Sequence, residues 1–153
     1  MQSSQRKTHL LQLMHMEHDT LDTLLHSLSE EQMLRPQIAG HWSVKDILAH
    51  LTWWEQETIS EIVHGVELDP GLQGEPWNTE KANTLMVEAQ RNTSLADVLT
   101  AFHNSYRQMY NVVEEMSEET LADEDLYTHL MDNTSNHYAK HRMAIETGLS
   151  LES

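Results

Sequence analysis

Apolar residues recur at spacings of three and four in three long segments of the chain, which is the pattern of one buried helical face. In the first segment the apolar stripe runs through residues 11–28, where His18 interrupts it. In the second it runs from residue 44 to about residue 64, and His50 adjoins it. In the third it covers residues 99–116. The pattern therefore predicts three long amphipathic helices.

Residues that favour helix ends mark the limits of these segments. The first helix is predicted to end near Ser29. Ser43 and Asp46 form the pattern of a capping box at the start of the second helix, which Gly65 should end. Ser94 is the predicted N-cap of the third helix. These signals agree with the limits of the apolar stripes.

The rest of the chain is predicted to add one long helix and one short one. Residues 65–78 hold three of the five glycines and two of the three prolines, which indicates a loop. The segment after it, TEKANTLMVEAQRN, is predicted to be a short helix, and the acidic segment from residue 117 to 132 a connection. The last helix should run from about Asn133 to Glu146, with Gly148 just past its end. The expected fold is all-α: one domain over residues 1–153, a four-helix bundle of up-down-down-up or similarly crossed topology with one additional short helix.

The charge and the apolar runs restrict the partners that we expect. Nine basic against 25 acidic residues give a formal charge of −16, from which we expect no nucleic acid as a partner, because phosphates would be repelled. No apolar run approaches the roughly 20 residues that span a bilayer, so we expect no membrane partner and a cytoplasmic location. The chain has no cysteine, so a metal site would have to use His, Asp or Glu.

Three of the eleven histidines form a candidate metal site. His137 and His141 are four residues apart on a predicted helix, so both rings can reach one ion. The alternative to a metal-binding pair is that these are two surface histidines that have this spacing by chance. His50 could face the pair across the bundle. Three imidazoles with an open position are typical of catalytic sites for zinc, nickel or ferrous iron.

Other residues are candidates for a pocket near this site. His18 could line the bundle cavity, although a hydrogen-bonded histidine of the core or rim is the commoner situation. Trp54 could form a wall of an apolar pocket, although such aromatic residues are usually core. A rival pair on the first helix, His15 and His18 with Asp19 and Asp22 nearby, lacks a third ligand.

Several polar residues near these candidates are better explained by capping or by solvent exposure than by a catalytic or metal-site role. Glu55 could be a general base, but its companion Glu57 favours a solvated face for both. The capping position explains Asp46 without a role beside His50. His41 and His103 are expected at the surface or rim.

Three motifs carry a resemblance to a known family. The run GHWSVKDILAHLTWWE resembles the second-helix motif of the DinB/YfiT-like superfamily of four-helix bundles, many of which carry a three-histidine metal site. The segments EPWN and NTSNHYAKHRMAI are most similar to its ClbS/DfsB branch. The resemblance implies a metal triad of His50, His137 and His141, although some members of that branch lack metal-binding histidines. It also implies thiol-dependent transfer or hydrolysis of an electrophile.

Two functions follow as hypotheses. The first is a metal-dependent detoxification or stress enzyme, a hydrolase or a thiol S-transferase, that acts on small electrophiles with or without a low-molecular-weight thiol. The second is a non-catalytic bundle that binds or sequesters a small apolar ligand, with a structural metal or none. A homodimer through the Trp-rich second helix is compatible with both.

Overall fold

The computed structural model describes residues 3–152 and confirms an all-α fold. Within these residues there are eight helices and one isolated β-bridge, between Ala39 and Trp42. The helices are α1 (Ser3–His26), α2 (Glu30–Leu34), α3 (Val44–His64), α4 (Thr79–Ala89), α5 (Leu95–Glu115), α6 (Glu118–Leu121), α7 (Glu124–Asp132) and α8 (Ser135–Glu152). No helix in this part of the chain is long and apolar enough to cross a membrane.

The four long helices form a bundle, and the residues that meet show their directions. In α1 and α5, Lys7 reaches the carbonyl of Glu114 whereas His18 meets His103, so the two helices are antiparallel. In α3 and α5, Ala49 and Val98 line one cavity, and further along Gln56 donates a hydrogen bond to Ser105. These two helices are therefore parallel.

The last helix completes an up-down-down-up bundle. His50 of α3 lies beside His141 of α8, and Glu55 accepts a hydrogen bond from Tyr138. The contact moves from His141 back to Tyr138 as α3 advances from His50 to Glu55, so α8 is antiparallel to α3. Since α3 is parallel to α5 and α5 is antiparallel to α1, α8 is parallel to α1. Parallel neighbours need a long crossover, which residues 65–94 supply between α3 and α5. The prediction of one short helix is too low, because α2 lies between the first two predicted long helices, and α6 and α7 lie in the acidic segment predicted to be a connection.

The capping signals at α3 and α5 are confirmed. The Ser43 side chain accepts from the Asp46 amide at 3.1 Å, and the Asp46 carboxylate accepts from the Ser43 amide at 3.1 Å. Gly65 follows α3 in the left-handed conformation with φ of 66°, and Ser94 caps α5. The reciprocal bonds at Ser43 fix the start of α3, and with it the register that places His50.

The predicted end of the last helix is wrong. α8 continues to Glu152, and Gly148 lies inside it. A Cβ at Gly148 would stand 1.8 Å from the carbonyl oxygen of Ile38. The glycine is therefore explained by the close approach of the segment before α3, because no side chain fits between them.

Candidate metal centre

Two helices bring His50, His137 and His141 together. His50 lies on α3, and the other two face it from successive turns of α8. The ring centroids of the three residues are 4.7–4.9 Å apart in every pair. One ligand nitrogen from each ring lies within 4.8 Å of the other two, so the cluster could hold a metal ion.

The spacing of the facing nitrogens fits a common ion. The Nε2 atoms of His50 and His137 are 3.1 Å apart. Two nitrogens bound at 2.0–2.1 Å to a tetrahedral ion are separated by about 3.3 Å. The rings of His50 and His137 would have to move apart by only a few tenths of an ångström to bind such an ion together.

The environment keeps all three imidazoles neutral. Burial, followed by His137, His141 and Lys140, lowers the pKa of His50 to about 2. Burial, His141 and Lys140 lower the pKa of His137 to about 3, and burial and Lys140 lower that of His141 to about 4. A neutral imidazole keeps the lone pair that a metal requires, so these rings are ready to bind at neutral pH.

The second nitrogens of two rings lack acceptors. The Nδ1 atoms of His50 and His137 are buried and have no hydrogen-bond partner within the described residues. Metal-ligating histidines usually donate from this atom to a carboxylate or carbonyl oxygen. Here packing orients the rings instead, and the Trp42 ring lies 4.9 Å from that of His50.

The three histidines line a cavity of about 310 Å³. Its other lining residues are Trp42, Trp54, Thr79, Asn83, Asn133 and Lys140. Trp54 donates a 3.0 Å hydrogen bond from Nε1 to the Asn83 side chain, which joins α3 to α4. A larger apolar groove of about 510 Å³ shares Trp42, Lys140 and His141 with this cavity. The cluster thus lies on the wall of a cavity large enough for a small molecule.

Sequence reasoning missed several lining residues. Trp42 directly precedes Ser43, the N-cap of α3, where the local pattern indicates only a helix start. Lys140 lies directly before His141, and a charged residue there is usually solvated. Asn83 comes from the short helix of the crossover, and no local signal connects it to α3.

His18 does not line this cavity. It is 8% exposed in α1, its ring stacks on that of Tyr106 at 3.8 Å, and its Nε2 lies 3.1 Å from His103 Nδ1. Nε2 of His103 in turn lies 3.4 Å from the Asp22 carboxylate. His18 is therefore a buried, hydrogen-bonded histidine. His15 pairs with the Asp19 carboxylate at 3.1 Å, and the other oxygen of that carboxylate lies 3.6 Å from His18 Nδ1.

The solvated face expected for Glu55 and Glu57 is wrong. Glu55 is 1% exposed and accepts a hydrogen bond from Tyr138, whereas Glu57 is 7% exposed and accepts one from the Leu68 amide. Their partners lie on α8 and in the loop after α3, which no pattern within α3 reveals.

Comparisons with known proteins agree with this fold. The sequence matches the model of the DinB superfamily over residues 13–143. A crystal structure of the colibactin self-resistance protein ClbS in complex with a dsDNA is similar at a TM-score of 0.75, with 16% identity over 92% of this chain and 93% of that chain. DfsB, described as a sibling lethal factor precursor, has a TM-score of 0.80 and 17% identity over 95% and 96% of the two chains.

A third similar structure is an uncharacterised protein from Escherichia coli UTI89, with a TM-score of 0.76 and 16% identity over 95% of this chain and 94% of that one. Identities this low establish the fold alone. A search of curated protein sequences found no match.

The expectation that nucleic acid is excluded as a partner is wrong. The ClbS structure contains double-stranded DNA, so a protein of this fold can form such a complex. The error lies in arguing from net charge, which sums over the whole surface, whereas a nucleic-acid contact depends on the charges at one face.

Proposed function

This chain belongs to the DinB superfamily, and on that premise we propose that it is a metal-dependent detoxification or stress enzyme, a hydrolase or a thiol S-transferase, that acts on small electrophiles. The observation that carries the proposal is the group of three neutral imidazoles on the wall of a cavity. Three histidines with an open side are one of the usual ligand sets of catalytic divalent metals.

In this proposal His50, His137 and His141 hold zinc, nickel or ferrous iron. When bound, such an ion would supply Lewis acidity, which polarises a substrate atom or lowers the pKa of water or of a thiol. The cavity beside the triad leaves room for a substrate on the side that the protein does not occupy.

The remaining lining residues would bind and orient the substrate. Trp42 and Trp54 present apolar surface that excludes water. The Trp54 hydrogen bond occupies the side-chain oxygen of Asn83 and leaves its amide group as a donor. Lys140 supplies a positive charge beside the triad, suited to negative charge that develops on the substrate.

The first test is elemental analysis of the untagged protein beside the His137→Ala variant. We expect about one equivalent of a divalent transition metal in the parent and loss of that metal in the variant, because the remaining two ligands hold an ion poorly. His64→Ala is the matched control, since His64 is an exposed histidine of α3 outside the cluster. Full metal retention by a folded His137→Ala variant would overturn the assignment of the triad.

The alternative, a bundle that only binds or sequesters a small ligand, differs in its coordination. A catalytic site keeps an exchangeable position, whereas a structural site is closed by the protein. The cobalt-substituted protein should therefore change its visible spectrum when azide or a small thiol is added. A spectrum that no added ligand changes would favour the non-catalytic reading. Where the spectrum responds, turnover of electrophiles with and without thiols separates transfer from hydrolysis.

A further inference from the structure

A second cavity, of about 320 Å³, lies on the other side of Trp54 from the triad, between the later part of α3 and the loop that follows it. Its walls are made almost entirely of two residue types. We refer to it as the tryptophan–glutamate cavity, after Trp53, Trp54, Trp77, Glu57, Glu61 and Glu67. Trp54 lines both this cavity and that of the triad.

The three indole rings form a corner of perpendicular planes. Trp53 and Trp54 have ring centroids 5.1 Å apart at an angle of 87°, and Trp54 and Trp77 lie 5.9 Å apart at 74°. Trp77 is 54% exposed, and its Nε1 is held by a 2.9 Å hydrogen bond to Thr79. A large aromatic side chain thus stays half in solvent in a fixed orientation, where it contributes more to the cavity than to the core.

The carboxylates of the cavity repel one another. Glu57 is nine-tenths buried, and burial raises the pKa of its carboxyl group. The Leu68 amide lowers this pKa, whereas the negative charge of Glu61, a hydrogen bond to the Glu61 side chain and the negative charge of Glu67 raise it further. His129 lies 3.5 Å from Glu61, but the charged groups that shift Glu57 are both negative. The cavity therefore groups three acidic side chains, of which Glu57 is buried, Glu61 half-buried and in contact with His129, and Glu67 exposed.

We propose that the tryptophan–glutamate cavity binds an organic cation, an ammonium group that carries alkyl substituents. The positive group contacts the electron-rich faces of the indole rings and lies close to the glutamate carboxylates. Such a ligand offsets the repulsion among the carboxylates and covers the exposed face of Trp77.

The two types of wall together select this class of ligand. A bare metal ion needs a shell of oxygen ligands and gains nothing from three indole rings. A neutral apolar molecule would fit the rings but would remove water from Glu57 and its neighbours without compensation. An alkylated ammonium group satisfies both walls, because its charge is spread over an apolar surface.

The test compares choline with its neutral isostere 3,3-dimethyl-1-butanol, at matched ionic strength. The probe is the indole N–H signals of the ¹⁵N-labelled protein in NMR spectra. The chain has four tryptophans, and Trp42, which lies in the triad cavity, is the internal control. Choline should shift the signals of Trp54 and Trp77 in a saturable way and leave that of Trp42 unchanged. The alcohol should bind at least about tenfold more weakly, because it lacks the charge.

Variants of Trp77 test whether choline binding depends on an aromatic ring at this position or only on a large apolar side chain. Trp77→Leu should weaken choline binding by about fivefold or more, whereas Trp77→Phe, which keeps an aromatic face, should stay within about threefold of the parent. Both variants lose the hydrogen bond to Thr79, so that bond cannot explain a difference between them.

A charge variant tests the carboxylates. Glu67→Gln should weaken choline binding about threefold, and Glu30→Gln, the same change at an exposed residue of α2, should not. Equal shifts by choline and the neutral alcohol would overturn the proposal. So would unchanged choline binding in a Trp77→Leu variant whose Trp42 signal shows that it is folded. The metal-free protein can be used throughout, so these outcomes do not depend on the metal centre.

Discussion

At the scale of single residues, Glu55 is the most unusual group in the bundle. It is buried between α3, α5 and α8, accepts a hydrogen bond from Tyr138 and another from Ser105, and lies outside the triad cavity. Burial raises the pKa of its carboxyl group to about 7, and the two hydrogen bonds only partly oppose this effect. A carboxylate in this place costs stability once it is charged.

The Glu55→Gln variant should therefore gain stability relative to the parent as pH rises. In the folded parent the carboxyl group keeps its proton up to about pH 7, whereas in the unfolded chain it loses the proton near 4.5. Between these values the folded state binds more protons, so rising pH removes stability from the parent. The variant has no such group and should gain about 3 kcal/mol relative to the parent between pH 4 and 8.

The measurement is denaturant unfolding of both proteins at several values of pH. The histidine contributions cancel in the difference, because both proteins carry the triad. Glu30→Gln serves as the control for the loss of an exposed carboxylate. A difference between Glu55→Gln and the parent that stays constant with pH would show that the Glu55 carboxyl titrates as it does in the unfolded chain.

At the scale of helices, the capping residues could be predicted from the sequence, but the residues of other elements that each helix contacts could not. Ser43 and Asp46 bond to each other across three residues, so their types and spacing suffice to predict the start of α3. Gly148 has two explanations, a helix end or a close approach, and the choice depends on Ile38, which lies 110 residues earlier (148 − 38). A local sequence pattern cannot reveal that residues so far apart in the chain come into contact. The contact between Glu55 and Tyr138 could not be predicted for the same reason.

Gly148→Ala should destabilise the fold although alanine favours helices. The new methyl group would meet the Ile38 carbonyl at 1.8 Å, and backbone must move to admit it. We expect a loss of about 2–3 kcal/mol from overpacking, against a gain of about 1 kcal/mol in helix propensity. Chemical denaturation of the variant, with exposed Thr147→Ala as the control in the same turn, measures the net effect. A stabilised variant would show that the segment before α3 is free to move away.

At the scale of the whole molecule, the triad lies where two pairs of helices meet. α1 packs mainly on α8, and α3 mainly on α5. Between α3 and α8 polar side chains meet in the interior of the bundle, where His50 faces His137 and Glu55 faces Tyr138. The sequence pattern indicates three of the four long helices because each of those three has an apolar stripe. It does not indicate this junction, where polar groups point inward, and the triad is predicted only from the spacing of its ligands and from the resemblance to a family.

A metal at this junction should hold the two pairs of helices together. Because the ligands come from α3 and α8, the site is destroyed on unfolding, and metal binding adds directly to the free energy of unfolding. At a free metal concentration about a hundredfold above Kd the gain is about 2.7 kcal/mol.

Thermal unfolding with zinc, and again after addition of a chelator, should show a reversible rise in Tm for the parent. His50→Ala should show no rise, and neither should His141→Ala, because the first removes the ligand from α3 and the second breaks the pair on α8. An equal rise in all three proteins would mean that zinc binds elsewhere, and the junction would then be held by packing and by the hydrogen bond between Glu55 and Tyr138 alone.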